Sequence, residues 1–351
     1  MLVSIILNNY NYDAYLSQAI DSALGQTYNS VEVIVVDDGS TDNSKNIIMG
    51  YGDKIRAFFK DNGGQVSAMN MGWEKANGDI IIFLDSDDVL SPDTAKQCVK
   101  AFEGSDYVSV YYMLKRVDGD MNPLGGVIPT YGYQETPALE DIKLWGYYIC
   151  PPTSGLAFRK DFLKNIMPAP DSLDEYGYDL PVDGYVSMLA GITGKTFFIP
   201  EILGYYRIHG KNVSNAGDSF SKEKLRRLFM VNYIREEYGR DFAKQRGIEL
   251  KKDRSIYHPT VLKYRLLAFR LYPDGHPIPE DTLFNLLRRG LRGAIIFPYL
   301  SIRKRLIIFG GLLLVSILPK FVLKPFVQII SAQDKKSVLR SIMKLNKKEK
   351  V

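Results

Sequence analysis

Four short apolar runs, each closing on a polar loop, constrain this chain more than any other feature. The runs are Leu2–Leu7, Val31–Val36, Ile55–Phe59 and Ile80–Leu84. Between them, Asp13–Gln26, Thr41–Gly50 and Gln65–Ala76 carry helical spacing; in the first, Ala14, Leu16, Ala19, Ile20, Ala23 and Leu24 share a face. Short apolar strands alternating with helices predict an α/β fold, with a mostly parallel sheet covered on both faces. Such sheets bind ligands beyond the carboxyl ends of their strands. The four loops there read Asn8-Asn9-Tyr10-Asn11, Asp37-Asp38-Gly39-Ser40, Asp61-Asn62-Gly63-Gly64 and Asp85-Ser86-Asp87-Asp88. Amides and carboxylates therefore converge on one sheet edge.

That edge asks for a cation. Asp85, Asp87 and Asp88 lie within four positions, and like charges this close repel unless a counter-charge is supplied. A hard divalent ion such as Mg²⁺ or Mn²⁺ takes oxygen ligands and often bridges one or two carboxylates to substrate phosphates. A solvated turn with a capping aspartate is the plainer alternative. At the second loop, a carboxylate of Asp37-Asp38-Gly39-Ser40-Thr41-Asp42 can accept a hydrogen bond from a base or ribose, or the segment is a plain strand-to-helix turn with Ser40 or Thr41 as N-cap. In the third, Gly63 and Gly64 either let backbone approach a ligand closely or serve the turn alone.

Taken in order, the blocks resemble the family 2 glycosyltransferases. They are Val3-Ser4-Ile5-Ile6 with Tyr10-Asn11, Val35-Val36-Asp37-Asp38-Gly39-Ser40-Thr41-Asp42, Gly63-Gly64-Gln65-Val66-Ser67-Ala68-Met69-Asn70-Met71-Gly72, and Gly78-Asp79 with Phe83-Leu84-Asp85-Ser86-Asp87-Asp88. The resemblance is strong over residues 1–105, weaker to about 215 and absent from the tail. It implies the GT-A (nucleotide-diphospho-sugar transferase) fold, a Rossmann-like sheet with helices on both faces. It also implies a hexosyltransferase-type enzyme that moves a sugar, with inversion, from a nucleoside diphosphate sugar to a saccharide or lipid-linked acceptor in polysaccharide or glycan assembly. By the same resemblance Asn8, Asn9, Tyr10, Asp38, Gly64, Asp85 and Ser86 bind the donor. Asp87 holds Mg²⁺ or Mn²⁺ on the diphosphate, and His209, in Tyr206-Arg207-Ile208-His209-Gly210-Lys211-Asn212, joins it or touches the diphosphate. Arg207 or Lys211 adds positive charge at the departing phosphates. Two departures stand out: Asn8-Asn9 replace the usual Pro-Thr or Pro-Ala, and Met69 stands where many members carry Arg. Uridine diphosphate is the default carrier.

Inverting transfer requires a base for the acceptor hydroxyl. The family commonly uses a Glu-Asp pair opening a helix. Here Pro181-Val182-Asp183-Gly184 matches, with Val182 in place of the first acid, so Asp183 is the expected base; Asp179, Asp174 and Glu175 are its rivals.

The predicted organisation is a catalytic domain over 1–215 (a nucleotide-binding half, 1–105, and an acceptor half, 106–215), a helical extension over 216–290 and a basic amphipathic tail over 291–351. Within the acceptor half, Thr153–Phe158 and Lys195–Ile199 read as strands and Tyr205–His209 as a loop. From Arg288 to Val351 there are 15 Lys and Arg against 2 Asp and Glu, a net +13; with the whole chain at +5, the remainder carries −8. Leu306–Pro319 is uncharged for 14 residues between Arg303-Lys304-Arg305 and Lys320. That is short of the ~20 residues of a spanning helix and suits an in-plane anchor on an anionic membrane surface; a buried core helix is the alternative. Two isolated cysteines, Cys98 and Cys150, fit a reducing compartment, and Leu2–Leu7 enters a strand with no basic leader before it. The expected location is thus cytoplasmic, at the inner face of the membrane. Nucleic acid is not an expected partner, because the final Lys/Arg run has no aromatic residues interleaved for stacking on bases. A sugar-nucleotide synthase would need a Gly-rich basic loop after the first strand, and a processive synthase several spanning helices. A non-catalytic nucleotide- or saccharide-binding module is the alternative to the enzyme.

Overall fold

The computed structural model describes residues 1–129, 135–136, 138–146, 151–170, 182–209, 221–297 and 300–331. The loops after the four apolar runs all fall inside these ranges, whereas Asp174, Glu175, Asp179, Pro181, Cys150, Lys211, Asn212 and the final 20 residues lie outside them.

The chain opens with β1 (Val3–Asn9), α1 (Asp13–Leu24), β2 (Val31–Asp37), α2 (Ser44–Gly50), β3 (Arg56–Phe59), α3 (Gly64–Lys75) and β4 (Ile80–Asp85). The apolar runs set these strands, and β1, β2 and β4 continue one or two residues into their polar loops, while β3 ends with its run. β5 (Val89–Leu90), α4 (Thr94–Phe102), β6 (Tyr107–Val117), β7 (Pro123–Ile128), β8 (Glu135–Thr136) and α5 (Ala138–Trp145) follow. Next come β9 (Leu156–Arg159), α6 (Lys160–Leu163), α7 (Val182–Thr193) and β10 (Lys195–Arg207). The remainder is helical: α8 (Lys222–Lys244), α9 (Pro259–Leu271), α10 (Leu283–Ile296), α11 (Ile302–Ile317) and α12 (Lys320–Ser331).

One sheet runs in the order β3-β2-β1-β4-β9-β6-β10-β5, with β7 paired to β6 and β8 to β10. β1 to β4 are parallel, β9 is antiparallel to both β4 and β6, and β6 and β10 are parallel. Two sequence readings are corrected here. Thr153–Gly155 forms a turn of 3₁₀ helix and only Leu156–Arg159 is strand. Tyr205–Arg207, read as loop, is the end of a 13-residue β10 that shifts register between Ile199 and Gly204. Those shifts blur the two-residue period by which a strand is recognised.

The core of the sheet is sealed by α1 and α4: Val3, Ile5 and Leu7 pack with Leu16, Ala19, Ile20, Cys98 and Phe102. On the other face α3 lies close to β1, since a Cβ on Gly72 would sit 2.3 Å from Ile6 Cγ2. The described chain divides into two compact units. The first takes Met1–Leu144, Tyr148–His209 and Tyr238–Leu250, the second Trp145–Tyr147, Gly210–Glu237 and Lys251–Val351. The second has its own small core, in which Ile256, Leu262, Leu266, Leu286 and Leu312 meet. No helix among the described residues is long and apolar enough to cross a membrane.

Candidate active site

Strand register builds the site. Pairing of β1 with β4 sets Asn8 beside Asp85, and pairing of β1 with β2 sets Asn9 beside Asp37. Every strand end that carries a polar loop thus arrives on the same edge.

The loop after β2 is held from within. Asp37 accepts hydrogen bonds from Asn9 Nδ2 at 2.8 Å, from Ser40 Oγ at 2.6 Å and from Ser40 N at 3.1 Å. Asn11, at φ +58°, accepts from Thr41 N at 2.7 Å. Gly39 is required at its turn: φ is +76°, and a Cβ there would lie 2.8 Å from Asn62 N. Asp38, almost wholly buried, accepts from Lys60 Nζ at 2.6 Å, Gly63 N at 2.9 Å and Gly64 N at 2.7 Å. Its carboxylate thereby fixes the N-terminus of α3, whose unpaired amides it satisfies. Side chains expected at the donor thus already have internal duties at Asn9 and Asp38. Ser86 behaves alike, donating from Oγ to Asn8 O at 2.7 Å. Tyr10 is exposed at the rim.

The acidic cluster after β4 is differentiated by its surroundings. Asp88 is buried and tied on both sides: Ser154 Oγ donates to it at 2.6 Å and Arg207 N at 2.9 Å. Burial, with Asp87 and Asp85 beside it, still pushes its pKa well above the usual carboxylate range. Asp85 is half-buried and accepts from Gln65 Nε2 at 2.9 Å, while its backbone N–H donates to Ser154 Oγ at 3.1 Å. Its pKa is raised to about 7, first by burial and then by the charges of Asp87 and Asp183. Asp87 Oδ2 lies 3.0 Å from His209 Nε2. The His209 ring is wedged between Tyr15, with centroids 4.7 Å apart, and Tyr12, at 5.8 Å.

Of Arg207 and Lys211, the alternatives expected for charge at the phosphates, Lys211 lies outside the described residues, and Arg207 braces the cluster through its own contacts. Its guanidinium donates to Asp87 O at 2.7 Å, Gly119 O at 2.9 Å and Gln18 Oε1 at 2.6 Å, and lies over the Tyr15 ring at 4.5 Å. The reason is burial: at 1% exposure a guanidinium must find partners nearby. Asp183 stands in the first turn of α7, where Gly184 N donates to its Oδ1 at 2.6 Å. Among the described residues no three His, Cys, Asp or Glu side chains form a ready cation cage. What exists is the pair Asp87 and His209, an oxygen and a nitrogen donor.

Sequence reasoning passed over three residues at this site. Gln65 touches Asp85, and only its place at the start of α3 could have flagged it. Tyr12 lies near enough to Asp87 and Asp85 for their charges, after burial, to raise its hydroxyl pKa; nothing in the local pattern distinguished it from the neighbouring tyrosines. Ser154 was read as part of a strand and proves to link Asp85 to Asp88.

One edge of this mixed sheet thus gathers acidic strand ends with a histidine, and Asp183 of α7 lies near enough for its charge to reach Asp85. The family model described as Glycosyl transferase family 2 matches residues 4–165. An uncharacterised glycosyltransferase of Nostoc sp. is 36% identical over 261 residues, covering 73% of this chain and 80% of that protein. The chain therefore belongs to glycosyltransferase family 2, and it is an enzyme of the glycosyltransferase class. Two solved structures share the fold at 16% identity. TarS from S. aureus in complex with UDP-GlcNAc aligns over 93% of this chain and 92% of its own, with a TM-score of 0.56. A mannosyltransferase from Pyrobaculum calidifontis in complex with GDP-Man and Mn²⁺ aligns over 90% and 86%, with a TM-score of 0.50.

Proposed function

We propose that this enzyme transfers a hexose, with inversion, from a uridine diphosphate sugar to a saccharide or lipid-linked acceptor, using Asp183 as general base and a divalent cation at Asp87. One observation carries the reading: at the carboxyl edge of the parallel strands, Asp85 lies near enough to Asp87 and Asp183 for both charges to raise its pKa. Carboxylates are gathered in this way where a cation and a proton acceptor are both needed.

The donor set fits Mg²⁺ or Mn²⁺. Asp87 and His209 offer two ligands, and an ion of this kind fills its remaining positions with phosphate oxygens and water. When bound, the ion supplies Lewis-acid neutralisation of the leaving diphosphate. Everything else falls to the chain. Gln65 and Asn8 orient Asp85 through hydrogen bonds. Asp38 fixes the Gly63-Gly64 backbone against which the nucleotide lies. Asp183 accepts the acceptor hydroxyl proton as that oxygen forms its bond to the anomeric carbon. The bond to the diphosphate oxygen breaks on the opposite face, and the nucleoside diphosphate leaves with the electron pair. TarS with UDP-GlcNAc and the archaeal enzyme with GDP-Man and Mn²⁺ support a nucleoside diphosphate sugar and a cation as ligands of this fold. The reaction belongs in the cytoplasm, with which the free thiol of buried Cys98 agrees.

Calorimetric titration with uridine, guanosine and thymidine diphosphates, with and without Mn²⁺, tests the proposal. Binding of the uridine nucleotide that depends on Mn²⁺ is the expected result. Binding of none, by folded protein, overturns the donor and cation assignments together.

A further inference from the structure

The second unit carries a surface that the transfer reaction does not use. Residues Ile308, Leu312 and Val315 of α11, one helical seam, pack on the core built from α9 and α10. The rest of the helix is turned outward, and that side is also apolar. Ile302 is 77% exposed, Leu306 68%, Ile307 64% and Ile317 76%, and Phe321 at the start of α12 is 81% exposed. Leu313 and Leu314 are exposed as well. A run of large aliphatic side chains facing out on successive turns is the mark of a contact surface.

The charges around this face choose its partner. Arg303 and Lys304 at the start of α11, and Lys320 and Lys324 in α12, are all exposed. Between Thr282 and Gln333 the sequence has no acidic residue. Arg305 and Arg270 do not contribute to the outward charge, because their guanidinium groups cap helix ends. Arg305 donates to Ala294 O at 2.7 Å and Phe297 O at 2.7 Å, and Arg270 to Val315 O at 3.0 Å and Leu318 O at 2.7 Å. Four free cations thus border an apolar strip. A second copy of this chain meeting the strip face to face would set Arg303 and Lys304 against their own kind, with no local carboxylate to pair them. Nucleic acid is a poor match, since Ile302, Leu306, Ile307 and Ile317 offer no ring for a base to stack on, and Phe321 by itself makes no series of stacking platforms. The length of α11 decides how a bilayer is met. Sixteen residues span about 24 Å, short of the ~30 Å hydrocarbon core.

We infer that α11 and the start of α12 form an in-plane docking surface for an anionic lipid bilayer. Ile302, Leu306, Ile307, Ile317 and Phe321 enter the acyl boundary, and Arg303, Lys304, Lys320 and Lys324 meet the headgroups. This surface stands independently of the donor and base assignments.

Vesicle co-sedimentation of the full chain tests it. The vesicles are phosphatidylcholine alone and phosphatidylcholine mixed with phosphatidylglycerol. One variant carries Leu306→Gln, Ile317→Gln and Phe321→Gln; the other carries Arg303→Gln, Lys304→Gln, Lys320→Gln and Lys324→Gln. All changed side chains are exposed, so both variants are expected to fold, which circular dichroism verifies. The wild-type chain should sediment with the mixed vesicles and much less with the neutral ones. Each cation near an anionic surface is worth a factor of about five in partitioning, so removing four should weaken it by roughly a hundredfold or more. The apolar variant should fail to sediment even at low salt. Wild-type protein that stays in solution with the mixed vesicles overturns the inference, as does undiminished sedimentation of the apolar variant. Self-association in sedimentation velocity that the apolar variant abolishes, with no vesicle binding, would assign the face to a second copy instead. Capture of single-stranded RNA without vesicle binding would assign it to nucleic acid.

Discussion

Asp183 and Asp85 differ in their surroundings, and the roles proposed for them differ accordingly. Asp183, in the first turn of α7, is favoured as an anion by the helix dipole. Replacing it with Asn should leave metal-dependent nucleotide binding unchanged while lowering kcat by about 10²–10⁴-fold; a variant with full turnover would end its assignment as base. Asp85 is a carboxyl with a pKa raised to about 7, mainly by burial. A proton on it competes with any cation drawn to the cluster. Nucleotide binding in Mn²⁺ should therefore weaken as pH falls below 7, by about tenfold per unit. Asp85→Asn should bind more weakly and flatten that slope, which titrations at several pH values can read. Much of this was legible in the residues. The Asp85-Ser86-Asp87-Asp88 block and His209 were named from their motifs, and the structure brings Asp87 and His209 to 3.0 Å. What could not be read was the division of labour within blocks. Asp38 and Ser86 turn inward to tie loops together, and Arg207 becomes a buried brace, because such roles depend on partners 22 to 189 positions away.

At the level of elements, periodicity gave out where regular geometry did. The first four strands and three helices follow from apolar runs and helical spacing, since β1, β2 and β4 are buried on both faces and each helix shows one apolar face. β10 is different. Its register shifts and its edge pairing with β5 break the alternation, so its last residues look like loop. Close packing of α3 on β1 was likewise invisible, although Gly72 was part of a quoted block. With a Cβ there placed 2.3 Å from Ile6 Cγ2, Gly72→Ala forces the helix or Ile6 to move. A cost of about 1–3 kcal/mol is expected for such overpacking. Because α3 begins at the Gly63-Gly64 loop, the strain should also weaken nucleotide binding. Denaturant titration beside calorimetry checks both; unchanged stability would mean that α3 stands further from β1 than described.

Across the whole molecule, charge is divided along the chain: a net +13 from Arg288 onward against −8 before it. The acidic part contains the carboxylates proposed to draw a cation, and on that proposal donor affinity and cation affinity should be linked. A ligand that binds only the folded protein stabilises it by RT ln(1 + [L]/Kd), about 2.7 kcal/mol at a hundred times Kd. Uridine diphosphate with Mn²⁺ should accordingly raise the unfolding temperature of the full chain, and EDTA should reverse the rise completely. With two compact units, unfolding need not be a single transition, and the shift is expected in the transition that follows the nucleotide-binding sheet. Asp87→Ala should unfold at its own temperature regardless of nucleotide or Mn²⁺, since it removes the carboxylate that pairs with His209. A nucleotide-dependent rise that survives both EDTA and Asp87→Ala would mean that the donor is held without a cation. In that case the charge of the leaving diphosphate would have to be met by the chain's own donors.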